Sequence, residues 1–236
     1  MTRMLASVIN QQELASALDA GVDIIDLKNP QQGALGALPL EMIRHLVTET
    51  AGRCPVSATV GDLPPDPRQL TTAIELTADS GVDFIKVGFF SNDNLDECLQ
   101  AIARLTDDNA VIAVLFADRQ PPVHRLNEFA AASFRGVMID TAGKGGGRLL
   151  DHISLASLDR FVNETRTLGM LSGLAGSLCL DDIPQLLPLA PDYLGFRGAL
   201  CEQSQRIAAI SPHRLREVRE ALSFTPARRE LAMAGS

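Results

Sequence analysis

Ala20-Gly-Val-Asp-Ile-Ile-Asp-Leu-Lys28 decides the fold, because the chain later reads Ser80-Gly-Val-Asp-Phe-Ile-Lys86, and Ala190-Pro-Asp-Tyr-Leu-Gly195 is a cousin of both. Gly21 and Gly81 are placed to end a helix in the left-handed cap conformation, after which the chain turns into an apolar run. Such runs recur at residues 4–8, 23–28, 56–60, 83–87, 110–116, 136–140, 170–175 and 192–196. Between them lie Gly-rich or polar loops and stretches with apolar residues three and four apart, as in 11–19 and 212–222. Eight strands alternating with helices predict an α/β fold, a single-domain (β/α)8 TIM barrel over residues 1–222. Residues 223–236, with Pro226 and Gly235-Ser236, read as a frayed tail.

Composition narrows the function. At 236 residues the chain suits one α/β barrel, and a hydrophobic fraction of 46% is ample for its core. One Tyr and no Trp argue against an aromatic platform for nucleic acid, and a net charge of −8 argues against a polyanionic partner. Cys54, Cys98, Cys179 and Cys201 are widely spaced, which fits reduced thiols. No apolar run approaches a membrane span or a signal-peptide core. His45, His124, His152 and His213 lie away from the strand ends, without metal-ligand spacing, and read as surface groups. The expectation is a cytoplasmic homo-oligomer with no cofactor, no metal, no nucleic-acid partner and no membrane.

Lysine usage points to the chemistry. The chain has three lysines, Lys28, Lys86 and Lys144, against eighteen arginines. Each lysine sits at or just beyond the end of a predicted strand. An amine, unlike a guanidinium, can lose its proton and attack a carbonyl. Asp26 and Lys28 lie two apart on strand 2 and face the same side. Lys86 ends strand 4, and Asp140 ends strand 6. Alternate strands fill common layers of a barrel, so Lys28, Lys86 and Asp140 are expected to converge. Amines brought together depress one another's pKa. The alternative is a set of separate salt bridges on the rim.

Strands 7 and 8 end in small residues, Leu174-Ala-Gly-Ser177 and Gly195-Phe-Arg-Gly-Ala199. Their backbone N–H groups, near Gly176, Ser177, Gly198 and Ala199, are expected to cradle a phosphate, with Arg197 adding charge. Plain turns are the alternative. Asp62 and Asp118 follow strands 3 and 5, as mouth-lining groups or helix caps. The loop 143–147 reads either as a lid carrying Lys144 or as a flexible turn.

These segments together resemble the (5-formylfuran-3-yl)methyl phosphate synthase family. The carriers are Asp23-Ile-Ile-Asp-Leu-Lys-Asn-Pro-Gln-Gln-Gly-Ala-Leu-Gly-Ala37, Val56-Ser-Ala-Thr-Val-Gly-Asp62, Phe84-Ile-Lys-Val-Gly88, Asp140-Thr-Ala142 and Leu174-Ala-Gly-Ser177. The resemblance implies condensation of two glyceraldehyde 3-phosphate molecules into a furan phosphate, for a methanofuran-type carrier. It implies that Lys28 is the Schiff-base lysine and Lys86 the general base, with Asp26, Asp140 and Lys144 in support. Archaeal members carry an acidic residue and a further lysine where this chain has Gly145 and Arg148. A class I aldolase for another sugar phosphate, or a non-catalytic barrel that binds a phosphorylated metabolite, fits the same residues.

Overall fold

The computed structural model of the chain describes residues 1–143 and 146–223. Eight parallel strands close into a barrel in sequence order. They are β1 Arg3–Val8, β2 Ile24–Leu27, β3 Val56–Thr59, β4 Phe84–Phe89, β5 Val111–Phe116, β6 Gly136–Asp140, β7 Leu171–Leu174 and β8 Tyr193–Phe196. Around them run α1 Gln11–Asp19, α2 Leu40–Thr50, α3 Pro67–Ala78, α4 Leu95–Ile102, α5 Leu126–Ala131, α6 Leu149–His152, α7 Leu155–Thr167, α8 Ile183–Leu186 and α9 Pro212–Ser223. The expected (β/α)8 barrel is therefore present. Every predicted strand is found, with ends shifted by a residue or two. The expected tail, apart from Ser223, lies outside the described residues, as does Lys144.

The repeated lead-in phrase does two jobs. Gly21 and Gly81 take the predicted left-handed conformation, at φ +68° and +79°. The Asp two positions later then binds the neighbouring strand. Asp23 accepts from the Met4 amide at 2.7 Å, Asp83 from Val56 at 2.7 Å and Asp192 from Ser172 at 2.8 Å. Carboxylates thus occupy free amides at the N-terminal rim, where barrels concentrate stability.

Side chains alternate in and out along each strand. The outward set packs with the helices in one large core that includes Ile25, Val87, Val137 and Leu194, each almost wholly buried. Phe129 packs edge-on against Phe89 and Phe134 there, with ring centroids 5.1 and 5.4 Å away. The inward set forms a second cluster of Leu5, Ile24, Ile112, Val114, Phe116, Met138 and Tyr193. Tyr193 fits because position 173 is Gly; a Cβ there would lie 2.4 Å from the ring.

The β2 loop folds back into the barrel mouth. Leu35 is fully buried against Gly88, and Phe90 stacks on Phe116 with centroids 4.2 Å apart. This plugs the β4–β5 side. Asp62 holds the loop by accepting from the Ala34 amide at 2.9 Å and the Leu35 amide at 2.6 Å. Gly33 must be Gly, since its φ is +121° and a Cβ would sit 2.0 Å from the Asp62 carboxylate. Asp118 clasps the β6 loop likewise, through the amides of Ala142 and Gly143 at 2.8 and 2.7 Å. Burial alone would raise the Asp118 pKa; these amide bonds hold it below the usual range. Both aspartates therefore clasp loops.

Candidate active site

A cavity of about 370 Å³ opens at the C-terminal ends of the strands. It lies towards β1, β2 and β6–β8, away from the aromatic plug. Its floor is charged. Lys86 Nζ lies 2.9 Å from Asp26 Oδ1, and Lys28 Nζ lies 3.7 Å from Asp140 Oδ2. These four side chains come from β2, β4 and β6 and the residue after β2, so the expected convergence of alternate strands is present.

Asp26 is the hub. It is fully buried and also accepts from Ser57 Oγ at 2.7 Å and Ser7 Oγ at 2.8 Å. Burial would raise its pKa. The charges of Lys86 and Lys28, with hydrogen bonds from Lys86 and Ser57, outweigh that and hold it below the usual carboxylate range. Lys86 is only 2% exposed. Burial pushes its pKa down, Asp26 pulls it back up, Lys28 pushes it down again, and the net shift is downward. The Lys28 side chain is 11% exposed and lines the cavity beside its looser partner. Asp140 Oδ1 is also bound by the Thr141 amide at 2.7 Å. The site thus joins a clamped, desolvated amine to a more accessible one.

At the β7 and β8 ends, Gly176, Ser177, Gly198 and Ala199 line the same cavity. Their amides meet no loop-backbone or side-chain acceptor among the described residues. Gly176 has φ +113°, and a Cβ there would lie 2.9 Å from Thr141. Ser177, also at positive φ, continues the turn.

Arg197 departs from its expected role. All five of its N–H groups are taken by the protein. Nη1 and Nη2 bond Glu13 at 2.5 and 3.1 Å, and the carbonyls of Ser7, Ala208 and Arg206 accept at 3.1, 2.9 and 2.8 Å. A guanidinium with no donor left cannot grip a phosphate. Two cavity arginines escaped the sequence analysis, Arg206 and Arg214. They lie beyond the last strand, where neither strand alternation nor a turn motif marks them. All four histidines are exposed, as expected. No helix among the described residues is long and apolar enough to cross a membrane.

Fold and site together define a (β/α)8 barrel with a two-lysine, two-aspartate floor under a cavity open at the C-terminal ends of the strands. Solved barrels share the fold alone. Phosphoribosyl anthranilate isomerase from Thermotoga maritima superposes with a TM-score of 0.69 at 10% identity, over 94% of this chain and 99% of that one. 3-Hexulose-6-phosphate synthase from Salmonella typhimurium gives 0.66 at 15%, over 94% and 99%. Sequence relatives are more specific. Residues 4–219 match the family described as 4-HFC-P synthase. A provisionally named (5-formylfuran-3-yl)methyl phosphate synthase of Methylorubrum extorquens is 44% identical, over 95% of this chain and 93% of the relative. The (5-formylfuran-3-yl)methyl phosphate synthase of Methanopyrus kandleri is 35% identical, over 94% and 99%. The chain belongs to the 4-HFC-P synthase family.

Proposed function

We propose that this protein condenses two molecules of glyceraldehyde 3-phosphate into (5-formylfuran-3-yl)methyl phosphate, releasing one phosphate and two waters. The names of its relatives support the product. The paired amines on the cavity floor support the route, and the observation that carries it is the contrast between them. Lys28 faces the cavity with a loose partner, whereas Lys86 is buried beside Asp26 with its pKa lowered.

Lys28 attacks the aldehyde of one triose phosphate, and loss of water gives an imine. The protonated imine draws electrons from the neighbouring C–H bond, and neutral Lys86 takes that proton. The resulting enamine expels phosphate from the adjoining carbon, and that carbon, now the nucleophilic end of an enol conjugated with the imine, attacks the carbonyl of the second triose phosphate in its ketone form. Ring closure, hydrolysis of the imine to free Lys28 and net loss of two waters yield the aromatic ring. Asp26 holds Lys86 in place and, through its charge, limits how far the pKa falls. Asp140 faces Lys28 and is placed to orient it.

Borohydride added to protein and glyceraldehyde 3-phosphate tests this reading. The expected result is a triose-sized mass on Lys28, with a growing near-ultraviolet furan band and one phosphate released per furan. Label on another residue, or phosphate release without furan, overturns it. The second outcome would favour simple phosphate elimination from the triose phosphate on the same floor, and condensation without phosphate release an aldolase-type reaction.

A further inference from the structure

Five described cations line the cavity: Lys28, Lys86, Arg197, Arg206 and Arg214. Four of them face carboxylates, Lys28 with Asp140 at 3.7 Å, Lys86 with Asp26 at 2.9 Å, Arg197 with Glu13 at 2.5 Å and Arg214 with Glu217 at 3.2 Å. Arg206 pairs with no carboxylate among the described residues. Its Nη2 instead donates to the carbonyls of Pro30 at 2.9 Å and Gly33 at 2.7 Å. Two carbonyls hold a guanidinium in place without cancelling its charge. The Nε and Nη1 donors of Arg206 meet no described acceptor. A half-buried guanidinium in that condition favours an anion from outside the protein. Asp181 also lines the cavity, but it is an exposed rim residue without a bond to Arg206.

Arg197 now has a purpose. Its Nε donates to the Arg206 carbonyl at 2.8 Å and its Nη2 to the Ala208 carbonyl at 2.9 Å, while Glu13 holds its other side. The buried Glu13–Arg197 pair therefore props up the segment that carries Arg206. That segment also packs on the β8 turn, where a Cβ at Gly198 would lie 3.2 Å from the Ser204 carbonyl. Arg206 thus lines the same cavity as the open amides of Gly198 and Ala199.

We propose that Arg206 receives the phosphate monoester of the substrate, in the place the sequence suggested for Arg197. Pro30 and Gly33 follow Lys28 by two and five residues, so the anion's anchor and the imine-forming amine share one segment. This inference rests on the phosphate-ester reading above, and its test uses inorganic phosphate alone so that the two can fail separately.

Wild-type protein is treated with phenylglyoxal, an arginine reagent, with and without inorganic phosphate, and modified peptides are measured by mass. Phosphate should protect Arg206 and leave Arg197 unreactive in both arms. In parallel, Arg206→Gln is compared by calorimetry. Its affinity for inorganic phosphate should fall roughly tenfold to a hundredfold, the scale of a lost charge-assisted contact. KM for glyceraldehyde 3-phosphate should rise by a similar factor, while borohydride trapping of unphosphorylated glyceraldehyde on Lys28 stays unchanged. Arg206 labelled equally with and without phosphate, or an unchanged phosphate affinity in the variant, overturns the proposal. The labelling arm needs no variant, so poor folding of Arg206→Gln leaves the test intact. If protection is seen but no furan forms, Arg206 stands and the furan synthase reading falls.

Discussion

At the N-terminal rim of the barrel, Asp23, Asp83 and Asp192 accept hydrogen bonds from backbone amides; on the cavity floor, Asp26 and Asp140 face ammonium groups. The residue type is the same and the depth differs, but the partner decides the role. An amide is a fixed, neutral donor, so a carboxylate bound to it contributes stability at any pH where it is charged. An ammonium titrates, so a carboxylate beside it sets whether that amine is charged or neutral. Burial sharpens this, because charge–charge effects grow as water is excluded.

The largest effect should come from the floor. Lys86→Met removes the proposed base and leaves Asp26 buried without its cation. Turnover should fall about a hundredfold to ten-thousandfold. Stability should fall by about 3–5 kcal/mol, the usual cost of stranding a buried charge. The double variant Asp26→Leu/Lys86→Met should recover most of that stability and none of the activity. Denaturant titration and a furan assay read the two quantities. A double variant as unstable as the single one would break the contrast, since the pair would then be structural as well.

Next comes the rim. Asp192→Ala leaves the Ser172 amide and hydroxyl without their acceptor. It should cost about 1.5–3 kcal/mol of stability, with kcat and KM within twofold of wild type. A large drop in kcat at unchanged stability would mean that the rim reaches the chemistry.

The smallest effect should be a shift along the pH axis. The proposed base works deprotonated, so the rate rises as pH passes through the pKa of Lys86. Asp26 holds that pKa up against burial and Lys28. In Asp26→Asn this support is gone, the pKa falls further, and the rising limb of the rate profile should move to lower pH. A limb that stays put, or moves up, would assign the titration to another group.

The sequence carried the barrel because its signals are local. Eight apolar runs and the left-handed glycines are visible one segment at a time. The floor was legible for a related reason. Asp26 and Lys28 share a face by alternation, and β2, β4 and β6 are alternate strands. What escaped were partners fixed by closure of the barrel. Arg197 looked available because Glu13 is 184 positions away. The aspartates of the lead-in phrase were visible as a repeat, yet their acceptor role depends on an amide near the start of the neighbouring strand. Asp62 and Asp118 read as mouth or cap residues, while in the fold they clasp loops. Arg206 carries no periodic or motif signal, and its position depends on a buried pair, Glu13 and Arg197, that spans the closing seam.

The sparing use of lysine has a consequence for measurement. Of the three lysines, Lys28 is 8% and Lys86 only 2% exposed. Acylating reagents added to the native protein should therefore modify Lys86 only when the barrel opens. Its rate of acylation becomes a clock for that opening, read by intact mass against a background of few competing amines. Run with and without bound phosphate, the clock would report how far an anion at the mouth steadies the floor beneath it.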